Sequence, residues 1–248
     1  MSDRVAVITG GSRGIGRATA LLAAKRGWRV LIGYASNAEA AQEVVSTITS
    51  AGGAAMATRC DVASEADILG LFKAADGFGE LGALVNNAGV VDVSARVEDM
   101  SAARIARIMT VNVTGSMLCA REAVKRMSTR HGGKGGVIVN LSSVAAKLGS
   151  PNTYVDYAAS KAAIDTFTLG LGYEVAAEGI RVTAVRPGLI DTDIHASGGE
   201  PDRAFRLAKN VPMQRVGTAD EIANAIVWLM SDDASYVTSS ILDVSGGR

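Results

Sequence analysis

Short, unbroken apolar runs alternate along the chain with longer segments whose apolar residues recur at helical spacing. Residues 5–9, 29–34, 54–59, 83–86, 136–141, 180–185 and 241–244 read as seven strands. Helical stretches fall between them: one ending at Arg26 before Gly27, one over 38–50 capped by Asn37, and one opened by Ser64. A helical region covers 99–130, another carries Tyr157 and runs to Glu178, and Thr218 caps a last one ending at Met230. The strands are continuous apolar runs, not alternating ones. Such strands are buried on both faces, and strand-helix alternation makes the connections crossovers. The pattern therefore predicts a single-domain α/β Rossmann fold over 1–248, with a doubly wound, seven-stranded parallel sheet and helices on both faces.

In such a sheet, ligands sit beyond the carboxyl ends of the strands. The polar and glycine-rich motifs fall there: Thr9-Gly10, Asn86-Asn87, Ser142-Ser143 and Pro187-Gly188 each follow a strand. The first loop runs Thr9-Gly10-Gly11-Ser12-Arg13-Gly14-Ile15-Gly16 between strand and helix. Glycines let the backbone turn and approach a pyrophosphate, and the helix N-terminus supplies N–H donors. The spacing departs from the common dinucleotide fingerprint, and a plain flexible turn is the alternative.

The end of the second strand separates the two nicotinamide cofactors. An acid there would bond the ribose hydroxyls and repel a 2′-phosphate. This chain has Tyr34-Ala35-Ser36-Asn37 and no acid before Glu39, while Arg13 offers a cation. NADP(H) is favoured, with NAD(H) possible; a solvated loop charge is the other reading of Arg13. Asp61-Val62, after the third strand, could grip an adenine edge, although an ordinary helix-preceding Asp reads the same way.

Tyr157 and Lys161 are four apart on a helix, hence on one face. A free phenol, with a pKa of ~10, is a poor acid or base at neutral pH, and a nearby cation eases its proton transfer. Tyr154 has no lysine at that spacing.

Composition narrows the classes. Twenty-five basic and 25 acidic residues cancel, so no basic surplus recruits nucleic acid or an anionic membrane. The basic residues from Arg121 to Lys134 fit a solvated helix end. No apolar run reaches membrane-spanning length, and no signal-peptide layout opens the chain. Cys60 and Cys119 share no metal spacing and make no disulfide framework, which suits a reduced, cytoplasmic protein. No metal-ligating cluster is legible.

Together the glycine loop, Asp61, Asn86-Asn87-Ala88-Gly89, Asn112, Ser142-Ser143, Tyr157 with Lys161, and Pro187-Gly188 with Thr192 resemble the short-chain dehydrogenase/reductase family in its single-domain form. The branch is similar to beta-ketoacyl carrier-protein reductases and sugar dehydrogenases. The resemblance implies that Tyr157 exchanges a proton with a carbonyl or hydroxyl oxygen, and that Lys161 lowers its pKa and holds the nicotinamide ribose. It implies that a serine bonds the substrate oxygen and that Asn112 holds a water relaying protons towards Lys161. Asn87, Ala88 and Gly89 would line the cofactor, and Pro187, Gly188, Ile190 and Thr192 would hold its nicotinamide end. One spacing departs: the family commonly places its serine thirteen residues before the tyrosine, where this chain has Val144. One extra residue in the following loop accounts for this and favours Ser143 over Ser142.

The substrate is expected to be a small carbonyl or alcohol. Its pocket would be built by 90–96, 144–155 and a lid over 188–212, mixing Val91, Leu148 and Met213 with Arg96 and Asn152, the lid carrying Asp191, Asp193, His195 and Ser197-Gly198-Gly199. The family usually forms homotetramers, with a dimer also possible. Ala158, Ala159, Ala162, Ala163 and Gly170 would suit close packing between subunits or against their own sheet. The rival reading is a dinucleotide-binding sensor or scaffold without chemistry, which would not need Asn112, Ser143, Tyr157 and Lys161 together.

Overall fold

A computed structural model describes residues 4–192, 198–200 and 202–248. Seven parallel strands, β1 (Arg4–Thr9), β2 (Arg29–Tyr34), β3 (Ala55–Arg59), β4 (Glu80–Asn86), β5 (Gly136–Leu141), β6 (Ile180–Pro187) and β7 (Ser240–Val244), lie in the order β3-β2-β1-β4-β5-β6-β7. This is the expected doubly wound Rossmann sheet. Successive side chains of a strand point to opposite faces, and here both faces are apolar. Ala6, Ile8, Val30, Ile32, Val85 and Val139 meet helices α1 (Gly14–Lys25), α2 (Ala38–Ser50) and α9 (Ala219–Met230). Val5, Val7, Leu31, Leu84 and Ile138 meet α3 (Glu65–Phe78), α5 (Gly115–Met127) and α7 (Val155–Val175). Each fully buried Leu, Ile or Val contributes about 1.5–3 kcal/mol, so two such layers hold the sheet between them.

Short polar side chains start several helices where the pattern placed them. Asn37 accepts from the Ala40 N–H (2.9 Å) and Ser64 from that of Asp67 (3.2 Å). Thr218 and Glu221 form a reciprocal capping box.

The region 99–130 is not one helix. It breaks into α4 (Ala102–Met109), a π-helical turn (Thr110–Thr114) and α5. The wide turn accompanies two constraints. Asn112 is fully buried and bonds both backbone groups of Val90, accepting from its N–H (2.8 Å) and donating to its C=O (3.0 Å). Gly115 presses against β3's outgoing loop, where a Cβ would stand 2.5 Å from the Val62 carbonyl. A second unforeseen element is the one-turn α6 (Ala145–Leu148), which follows Ser143. In the expected lid, α8 (Arg203–Leu207) is helical, while Asp193, His195 and Ser197 lie outside the described residues. The small residues of α7 divide: Ala158 is buried in its own chain, whereas Ala159 and Gly170 face outward.

A polar ladder crosses the middle of the sheet. Asn86 on β4 donates to Asn140 Oδ1 on β5 (2.9 Å), and Asn140 donates to Thr168 Oγ1 on α7 (2.9 Å). Asn140 and Thr168 are fully buried, so each group depends on its neighbour. Thr168→Val keeps the shape but leaves the Asn140 amide without that acceptor. The variant should lose about 1–3 kcal/mol in urea unfolding, and an unchanged midpoint would show that the ladder contributes nothing.

Candidate active site

The strand order reverses direction between β1 and β4, and a cleft of about 860 Å³ opens there along the carboxyl ends of the strands. Its phosphate-facing end is the glycine loop. Gly10 adopts φ +64°, a left-handed conformation that favours glycine. Asn87 latches this loop from β4, donating to the Thr9 and Gly10 carbonyls (2.9 and 3.0 Å). Thr9 Oγ1 in turn accepts from the Asn87 and Ala88 N–H groups (3.1 and 3.0 Å). Gly10, Ser12, Arg13, Gly14 and Ile15 line the cleft. Gly16 does not. It packs beneath the loop, where a Cβ would stand 2.3 Å from the Gly10 carbonyl and 2.5 Å from Asn87 Nδ2.

Tyr34, Ala35, Ser36 and Asn37, which follow the body of β2, border the same cleft, as do Asp61, Val62, Ala88 and Gly89. Pro187, Gly188, Ile190 and Thr192 complete its far wall. The cleft therefore holds a glycine cradle of the kind that lets a backbone approach a pyrophosphate. Among the described residues, no group of His, Cys and carboxylates could hold a metal. Both cysteines are free and buried, and burial pushes the Cys60 thiol up to about 12 and Cys119 higher still, so neither is a nucleophile.

Helix α7 presents Tyr157 and Lys161 to the cleft side by side, the ammonium 5.7 Å from the ring centroid. Ser143 lines the cleft beside them and lowers the phenol against the effect of burial. Its hydroxyl also accepts from the Ala145 N–H (3.1 Å), so the start of α6 fixes it. Ser142 is turned away and donates to the Lys161 carbonyl (3.2 Å). Burial raises the Tyr157 phenol above its ordinary value. The opposing influences are the Ser143 hydroxyl and the charge of Arg203. Lys161 stands beside the ring as the spacing expects. Its ammonium is itself buried and is spent on the Leu141 carbonyl, 2.6 Å away.

Asn112 lies behind the cleft wall rather than on it. Besides Val90 it donates to Ser160 Oγ (3.0 Å), and Ser160 donates to the Tyr157 carbonyl (2.7 Å). A Cβ on Gly89 would fall 3.4 Å from Asn112 Oδ1 and 3.5 Å from Lys161 Nζ, so Gly89 fills the space between them. The expected substrate wall needs revision. Val91 and Leu148 line the cleft, but Arg96 is tied to Asn152 (3.0 Å) and Glu98, and Met213 is largely exposed away from it. Tyr154 and Arg203, inside the expected loop and lid, do line it, and so does Arg248, which belongs to no motif and lies outside both.

Sequence reasoning missed a tether. Arg104 on α4 binds Asp156 through two nitrogens (2.8 and 3.3 Å) and the Val93 carbonyl (2.6 Å). Asp156 also accepts from the Tyr157 N–H (2.9 Å). The pair is nearly closed off from water, with side-chain exposures of 9% and 3%. It joins the loop after β4 to the first turn of α7.

Comparison with known proteins agrees with this geometry. Residues 10–248 match the family profile described as Enoyl-(Acyl carrier protein) reductase. The chain is 58% identical to an uncharacterized oxidoreductase of Escherichia coli (strain K12), YgfF, over 98% of this chain and 99% of that one. It is 39% identical to the cis-4-hydroxycyclohexanecarboxylate dehydrogenase of Sinomonas cyclohexanicum, covering 99% and 96%. A short chain dehydrogenase from Burkholderia cenocepacia J2315, solved in complex with NADP, superposes with a TM-score of 0.90 at 32% identity, covering 99% of this chain and 98% of that one. The chain belongs to the short-chain dehydrogenase/reductase family. It is an oxidoreductase acting on hydroxyl or carbonyl groups.

Two outcomes follow from the site's electrostatics. Burial lowers the Lys161 ammonium from 10.5 to about 8. Between those values the unfolded chain holds more protons, so stability rises with pH across that window, while below about pH 8 the cost of burying the cation is fully present. Thermal melts of the wild type and Lys161→Met should therefore move apart in favour of the wild type from pH 8 to 10; parallel curves would refute a depressed lysine. Arg104→Met strands the Asp156 carboxylate and should cost about 3 kcal/mol in chemical denaturation. A loss near zero would mean that water replaces the guanidinium without penalty.

Proposed function

We propose that the protein is an NADP(H)-preferring reductase of a small carbonyl compound, or the reverse alcohol dehydrogenase, with Tyr157 as general acid and base. The observation that carries this reading is the convergence of Ser143, Tyr157 and Lys161 on the cleft that the glycine loop opens. A carbonyl oxygen held between the two hydroxyls would accept a hydrogen bond from Ser143 and a proton from Tyr157. Lys161, still largely cationic at neutral pH with its value near 8, would stabilise the phenolate left behind. Bound at the glycine loop, the nicotinamide cofactor supplies or takes up the hydride. Asn112, on its π-turn, would hold the Val90 backbone and Ser160 in register with Lys161.

Support for NADP(H) comes from three features. No acid follows β2 in the cleft wall, Arg13 stands at the mouth of the loop, and a relative of the same fold is solved with NADP. The Sinomonas relative is named for an alicyclic hydroxy acid, which supports a small hydroxy or keto compound as the substrate. For assembly, we place a homotetramer contact on the outward stripe of α7 formed by Ala159, Thr166, Leu169, Gly170 and Tyr173. Two unpaired thiols suit a cytoplasmic setting.

Fluorescence titration with NADPH and NADH tests the cofactor choice. The wild type should bind NADPH at least about tenfold more tightly, and Arg13→Ala should erase the difference. Equal binding of both by the wild type would refute it. Tyr157→Phe should retain NADPH binding and lose about 10²–10⁴-fold in turnover. Undiminished turnover would remove the tyrosine from the chemistry.

A further inference from the structure

Two cations face the cleft beyond the Tyr157 hydroxyl. Arg203, at the start of α8, stacks on Tyr154 with its guanidinium carbon 5.1 Å from the ring centroid. Arg248 follows the glycine pair after β7 and lines the same cavity. Neither guanidinium has a carboxylate within ion-pair distance among the described residues. The neighbouring acids are already engaged. Glu200 binds Arg206 and accepts from the Tyr154 hydroxyl (3.4 Å), Asp156 binds Arg104, and Asp92 binds Arg107.

Two like charges in a partly closed cleft repel. Burial, followed by the charge of Arg203, holds Arg248 below the ordinary arginine range. An anion placed between them removes that repulsion, and two planar guanidinium groups suit a planar carboxylate. The adjacent wall is apolar and aromatic, formed by Val91, Val144, Leu148, Tyr154 and Leu189. Arg13 stands instead at the glycine loop, where helix α1 begins, and Arg107, the fourth arginine lining the cleft, is paired with Asp92.

The geometry points to a carboxylate-binding subsite made by Arg203 and Arg248, and hence to a substrate that is a keto acid or hydroxy acid with a hydrocarbon body. This rests on the oxidoreductase reading and specifies its substrate class. Val91 and Tyr154 would hold the hydrocarbon, the two arginines its carboxylate, and Ser143 with Tyr157 the carbonyl at the other end. Gly198 closes over this subsite, because a Cβ there would stand 3.0 Å from the Tyr154 hydroxyl and 3.2 Å from Val91.

Calorimetric titration of the protein with cyclohexanecarboxylate and with the neutral cyclohexanecarboxamide tests it, each with and without saturating NADPH. The carboxylate should bind at least about tenfold more tightly than the amide, and Arg203→Met and Arg248→Met should each remove most of that preference. NADPH affinity should change less than about twofold in both variants, since the loss is confined to the substrate end. Equal binding of acid and amide, binding of neither, or an undiminished preference in both variants overturns the subsite. A failure of NADPH to bind the wild type defeats the oxidoreductase reading separately, and the cofactor-free comparison still decides the arginines.

Discussion

Everything in this molecule depends on how two neighbouring parallel strands part company. The chain leaves β1 towards one face of the sheet and β4 towards the other, so their carboxyl ends cannot be covered by the same connection. A gap is unavoidable there. Thr9 and Asn87 span it with four hydrogen bonds, which fix its width without filling it. Because these bonds use backbone groups of the glycine loop, the cradle is held rigid by the strand opposite. The remaining layers keep that edge in place, largely apolar on both faces and crossed by the polar Asn86–Asn140–Thr168 line.

The proton-transfer end is built on different physics. Tyr157, Lys161 and Ser143 come from α7 and the turn after β5, and each is positioned through backbone atoms of another element. Lys161 is pinned to Leu141, Ser143 to the start of α6, and Tyr157 through Asp156 to Arg104. Burial works against ionisation of both the phenol and the ammonium. For the phenol, compensation arrives from a hydroxyl and from an arginine far along the chain, and for the ammonium from the charge of Asp165. The site is thus a balance between a dry environment, which strengthens every hydrogen bond, and the few charges allowed into it.

Much of this was legible in the residues. Strands β2 and β5 and helices α2 and α9 fall where apolar runs and capping residues put them, because Asn37 and Thr218 act through contacts within one helical turn. The tyrosine–lysine face follows from helical spacing alone. What escaped detection depends on contacts between distant segments. Nothing near Gly16 announces that it serves packing rather than the cleft, since its neighbour Asn87 is on another strand. Arg203 and Arg248 belong to no motif, and only folding brings both to the cleft and Arg203 onto Tyr154. Spacing gives the adjacency of Lys161 to the phenol, but not the Leu141 carbonyl on β5 that accepts its hydrogen bond.

The π-turn has a consequence for how this chain tolerates length changes. A π-turn holds one residue more than an α-turn, which displaces the helices on its two sides by about 100° of rotation relative to an unbroken helix. Helix α4 is therefore phased to α7 through α5, and Arg104 reaches Asp156 only in that phase. Deleting one residue from Thr110–Thr114 would restore regular helical geometry and yet swing the guanidinium away from its carboxylate. In this segment residue count acts as an angular coordinate, so insertion and deletion are rotations, while substitutions leave the phase alone.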